Sequence, residues 1–174
     1  MSLRKFASIK DMAETLSYII IIIGAFFALY QYFEMKYSDR VKETLSYEKR
    51  LNDGEFLDAK VSINQAWQPY QSFFEKLHQK TIKSQNDKDK ILDKVAQKVI
   101  KNKNLSKDID LLVDFYESLS ICVKSDICDQ TTALSFFSPY AEKFYQLHNL
   151  YIKNKSKSII GYAKGLKMLL KEEK

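Results

Sequence analysis

Between Glu14 and Glu34 the sequence carries no charged residue, and that gap contains YIIIIIGAFFALYQYF, residues 18–33. As an α-helix the 19 positions of residues 15–33 span about 28 Å, close to the ~30 Å hydrocarbon core of a bilayer. Polar side chains occur only near the ends, at Thr15, Ser17 and Gln31. Tyr18 marks one boundary and Tyr30 and Tyr32 the other, where amphipathic rings favour the membrane–water interface. A helix of a soluble core would show a polar face, and residues 19–29 show none. A cleaved signal peptide would place small residues after the apolar run, but YQYFEMK follows instead. The stretch reads as a retained membrane helix anchored by Tyr18, Ile21, Ile22, Gly24, Tyr30 and Tyr32.

Flanking charge sets the expected orientation. Arg4, Lys5 and Lys10 precede the span, whereas Lys36, Arg40, Lys42, Lys49 and Arg50 follow it. Five basic residues against three predict a cytoplasmic C-terminal side. Lys36, Arg40 and Lys42 lie nearest the span and are the expected contacts for anionic lipid headgroups. The net charge is +6, supplied almost wholly by lysine, whose compact hydrated ammonium suits solvated faces.

After the anchor the sequence predicts helices only. Four glycines and two prolines leave few turn signals, and no segment alternates with period two over the length of a strand. The expected architecture is all-α: a short tail (1–14), a membrane helix (15–33) and one helical-bundle domain (34–174). Residues 34–52 are expected to continue the span as a juxtamembrane helix ending at Asn52-Asp53-Gly54. A second helix carries Phe56, Ala59, Ile63, Ala66 and Trp67 at helical spacing, bends at Pro69 and continues through Phe73, Phe74 and Leu77. SQNDKDKILDKVAQKVIKNKN sets Ile91, Val95 and Val99 beside Lys90, Lys94, Lys98 and Lys101, a solvated face or a basic surface for an anionic leaflet. Residues 107–124 form the most apolar helix outside the span. Asp129 is expected to cap a short helix ending near Phe137, Ser138-Pro139 to start another, and residues 158–171 to form the last.

Recognisable chemistry is sparse. Asp110, Asp114 and Glu117 share a helix face, the nearest approach to a metal or acid–base cluster, yet acids beside an apolar stripe are ordinary on a soluble helix. His78 and His148 have no metal-motif neighbours. Cys122 and Cys128, spaced CVKSDIC, do not match a zinc knuckle; they read as reduced thiols at a helix corner in the cytosol, or as a clamp on an oxidising side. No phosphate-cradling glycine loop or nucleophile motif occurs. No catalytic residue, metal, cofactor or small-molecule substrate is expected, and nucleic acid is an unexpected partner without aromatic platforms or clustered arginines.

The stretches RVKETLSYEKRLNDGEFLDAKVSINQAW (40–67) and DFYESLSICVKSDICDQTTALSFFSPYAEKFYQL (114–147), with the anchor, resemble an uncharacterised bacterial family of short proteins. The resemblance implies a bacterial, single-pass, all-α protein and no particular activity; envelope complexes and phage defence are settings known for comparable small proteins, by analogy only. The expected function is a non-enzymatic, membrane-anchored interaction or regulatory module holding a protein partner or copies of itself at what the resemblance implies is a bacterial inner membrane. Trp67, Tyr116, Phe136, Phe137 and Tyr140 are its candidate partner surface, with core packing as their other role. The alternative is a membrane-perturbing or pore-forming effector assembled through the anchors, for which Gly24 and Ala28 offer a small-residue contact.

Overall fold

The computed structural model describes residues 3–73 and 85–170, and every regular element among them is helical. These are α1 (Leu3–Leu51), α2 (Gly54–Trp67), a 3-10 turn (Gln68–Tyr70), α3 (Gln85–Lys103), α4 (Ser106–Lys124), α5 (Gln130–Ser158) and α6 (Lys164–Leu169). The all-α expectation holds, with one long apolar helix at the N-terminus. Phe74, Leu77 and His78 lie outside the described residues.

The chain divides into two compact units, Met1–Asp39 and Arg40–Lys174. The first consists of the N-terminal part of α1, the one helix among the described residues long and apolar enough to cross a membrane. Its isoleucines at 19–23 are 50–65% exposed.

The second unit is organised around α4. Its spacing buries Ile109, Leu112, Val113, Phe115, Tyr116, Leu119 and Cys122 on one face. Phe115 is the hub, with its ring edge-on or tilted to Tyr47, Phe56, Tyr116 and Phe137 at centroid distances of 5.4–5.9 Å. Around it pack Tyr47 and Leu51 of α1, Ile63 of α2, Val99 of α3, Ile152 of α5 and Leu166 of α6, all buried. The break at Asn52-Asp53-Gly54 forms as expected. Gly54 sits in the left-handed region at φ +51°, and Asp53 caps α2 by accepting the Gly54 N–H at 2.8 Å.

Two expectations fail in the C-terminal third. Ser138-Pro139 does not restart a helix; α5 runs unbroken from Gln130 to Ser158 with Pro139 inside it. Pro139 and Ser135, whose carbonyl loses its partner, are both exposed, so water can serve that oxygen. Ala133, Phe137, Ala141 and Phe144 meanwhile keep one register against the core across the proline. Ser138 caps a different helix, donating to the Leu169 carbonyl at 2.7 Å. The last expected helix, 158–171, is also broken. Gly161 (φ +85°) and Ala163 (φ +58°) turn the chain back, leaving only α6.

Candidate functional site

Of the three carboxylates expected to share a face of α4, Asp110 and Glu117 are drawn to different partners, and Asp114 between them is exposed. Asp110 accepts hydrogen bonds from the hydroxyls of Tyr162 (2.6 Å) and Tyr151 (3.1 Å) and pairs with the Lys155 ammonium. Lys155 also stands over the rings of Tyr162 and Tyr151, at 5.2 and 5.6 Å from their centroids. Burial works against the Lys155 charge, but its bonds to Asp110 and Tyr151 hold the ammonium above its usual range. Burial and the bond to Asp110 raise the Tyr162 phenol well above the ordinary value, so it stays a donor. This cluster ties α4 to the end of α5 and the turn beyond it. Glu117 instead accepts the Gly165 N–H at 2.6 Å and seats α6. Among the described residues no three His, Cys, Asp or Glu side chains group as metal ligands.

His148 is a core residue. The Trp67 indole N–H donates to its Nε2 at 3.2 Å, and its Nδ1 lies 2.8 Å from the Phe144 carbonyl, the tautomer in which Nδ1 carries the proton. Burial lowers its pKa to about 4, against which the Phe144 bond works only partly.

The partner-surface residues fall into two groups. Trp67, Tyr116 and Phe137 are buried and belong to the core, which corrects their assignment to a surface. Their side chains point inward because α2, α4 and α5 meet on those faces. Phe136 and Tyr140 are 43% and 63% exposed, one turn apart on α5. Lys90, Lys94, Lys98 and Lys101 are exposed on α3, whose other face buries Ala96, Val99 and Ile100.

The corner between α4 and α5 is closed by a Cys122–Cys128 disulfide with both residues buried, so the cysteines are not the expected reduced thiols. The corner is fastened to α1 at the start of the second unit. Thr44 Oγ1, fully buried, donates to the Arg40 carbonyl and accepts the Asp129 N–H, each at 2.8 Å. The Asp129 N–H also reaches the Arg40 carbonyl at 3.3 Å. The Arg40 guanidinium pairs with Asp126, so this expected lipid contact is engaged within the domain. Asp129 caps α5 through Thr132, whose side-chain and backbone bonds hold its carboxyl below the usual range. The cap was legible from the sequence; the fastening to Thr44, 85 positions away, carries no local signal.

Comparison with curated proteins and with solved structures gives no match. The chain does match a domain of unknown function, DUF4760, across residues 18–158. That range takes in the apolar stretch, α2 to α5 and both segments, 40–67 and 114–147, on which the resemblance to an uncharacterised family rests. The protein is therefore a member of the DUF4760 family.

Proposed function

We propose that this protein is a non-enzymatic, membrane-anchored interaction module in which α1 crosses a cell membrane and the helical unit holds a protein partner or a second copy of itself there. The observation that carries the reading is the exposed aromatic pair Phe136 and Tyr140 on α5, beside a domain whose polar clusters are spent on internal bonds. Exposed aromatics one turn apart suit a helix-on-helix contact. Purification of the full chain in mild detergent should retain a stoichiometric partner or a homo-oligomer, and Phe136→Ala/Tyr140→Ala should lose it. A monomer alone, unaltered by that double substitution, would sink this reading.

Two observations pull the domain to opposite sides of the membrane. The basic flanks, five residues against three, favour the cytosol. The Cys122–Cys128 bridge favours an oxidising compartment, because cytosolic reductants keep thiols free. The charge bias is two residues and is blurred by Glu34 and Asp39, so the bridge weighs more. We take the domain to lie on the oxidising side. A C-terminal alkaline phosphatase fusion should then be active and a fluorescent cytoplasmic reporter dark; the reverse pattern returns the domain to the cytosol.

One feature favours the pore-forming alternative. A Cβ on Gly24 would meet nothing within 4 Å, so packing within this chain gives no reason for a glycine there, whereas close contact between spans would. Dye entry and loss of membrane potential on overexpression test it; intact membranes exclude it.

A further inference from the structure

Pro139 sits in the interior of α5, where a proline removes one helical hydrogen bond and pushes on the carbonyl four residues back. That carbonyl belongs to Ser135. Both residues line a cavity of about 570 Å³ between α5 and α6, within the roughly 300–1,000 Å³ typical of small-molecule sites. Its apolar walls are Leu134 and Pro139 on α5 and Leu169 and Leu170 at the end of α6. The charge of this cavity runs against that of the chain. The protein carries 28 lysines and arginines against 22 acids, yet among the described residues neither a lysine nor an arginine lines the cavity. Its one charged group is the Glu142 carboxylate, whose Oε1 accepts from Gln146 Nε2 at 3.1 Å. The ion pairs Arg40–Asp126 and Lys155–Asp110 lie elsewhere in the unit.

We propose that this cavity binds a small primary alkylammonium ion, its head held by the Glu142 carboxylate and the Ser135 carbonyl and its methylenes laid against the four apolar walls. Ser135 and Glu142 are two turns apart on α5. A helical carbonyl points toward the C-terminus and a side chain leans toward the N-terminus, so both groups reach toward the level of Pro139. An ammonium donates three hydrogen bonds and accepts none, which matches a carboxylate and a carbonyl that has lost its helical partner. A short methylene chain matches walls built from leucine and proline. An anion would meet the carboxylate with no cation in the cavity to offset it. The site lies within the second unit, and Phe136 and Tyr140 do not line it. It therefore adds a ligand to the proposed module without depending on the partner surface or on the anchor.

The full chain, with methyl-labelled leucine, is titrated in non-ionic detergent at constant ionic strength with butylammonium chloride, ammonium chloride or butanol. Butylammonium should shift the methyl resonances of Leu134, Leu169 and Leu170 saturably in the millimolar range, and the head alone or the tail alone should bind more weakly. Glu142→Gln should weaken butylammonium binding about fivefold, the worth of one exposed charge pair. Pro139→Ala should weaken it by a similar factor, because the restored N–H takes the Ser135 carbonyl, while raising the urea midpoint. Weaker binding by a more stable protein separates a lost ligand contact from a lost fold. Absence of a saturable shift in the wild type overturns the site. Ammonium chloride or butanol binding as well as butylammonium overturns the ligand. Undiminished binding by either variant overturns the assignment of the head to these two oxygens.

Discussion

A methyl group on residue 165 would come within 2.7 Å of Ser120 Cβ and 2.9 Å of the Glu117 Cα, so glycine is what lets α6 seat against α4. Gly165→Ala should destabilise the domain by about 1–3 kcal/mol, the usual cost of overpacking against backbone. Urea midpoints of the full chain in detergent read this directly, and an unchanged midpoint would mean that α6 is not seated as described. His148 offers a second test, in pH. Its folded pKa, about 4, lies below the ordinary 6.5, so the unfolded chain takes the proton first. The stability tied to the neutral ring is therefore complete above about pH 6.5 and is lost as pH falls toward 4, roughly 3 kcal/mol in all. The cause is on view: a proton on Nε2 would face the Trp67 N–H inside the core. His148→Gln can still accept from Trp67 but cannot titrate, so its stability should fall less steeply over that window. Parallel losses in both proteins would show that other groups titrate there.

Reduction of the Cys122–Cys128 bridge should cost about 2 kcal/mol, the loop-closure contribution expected for so short a ring. The corner should survive reduction, because Thr44 and Asp129 still join it to α1. Thermal unfolding with and without dithiothreitol checks this; an unaltered midpoint would mean that the thiols were already free. How much of this was legible varies by element. α4 was, since its apolar spacing is broad and unbroken and needs nothing distant to explain it. The start of α5 was, because Asp129 caps its own helix. The proline was misread because a local start signal cannot tell whether Ser138 will cap its own helix or serve the Leu169 carbonyl 31 positions on. The turn at 159–163 was missed for a related reason: Ala163 adopts a left-handed conformation that its side chain does not favour, in a turn held by the burial of Ala163 and Leu166 and by the distant Glu117. Aromatic identity predicted importance for Trp67, Tyr116 and Phe137 but not direction, since facing inward depends on which helices arrive opposite.

The division of the chain into an exposed apolar helix and a domain with its own core makes a separable prediction about the anchor. Ile21→Lys/Ile22→Lys should release the protein from membranes or stop its accumulation. On the insertion scale each lysine at the centre of a span costs about 2.5–3.5 kcal/mol. A span of 19 uncharged residues has only a few kcal/mol of favourable transfer to set against two such charges, and no second span among the described residues can shelter them. The domain should nevertheless fold, because Ile21 and Ile22 are exposed while Phe115 and its neighbours remain buried without them. Two outcomes are thereby kept apart. Protein that appears in the soluble fraction, with the far-ultraviolet helical signal and unfolding midpoint of the wild-type domain, has lost its anchor and nothing else. Protein that vanishes could have failed either to insert or to fold, and Val61→Lys, a change at an exposed position of α2, supplies the comparison because it should accumulate normally. The decisive measurement is fractionation after an alkaline wash, which strips peripheral proteins and leaves spanning ones. If the double-lysine protein still pellets with membranes as the wild type does, residues 15–33 do not hold the chain in the bilayer.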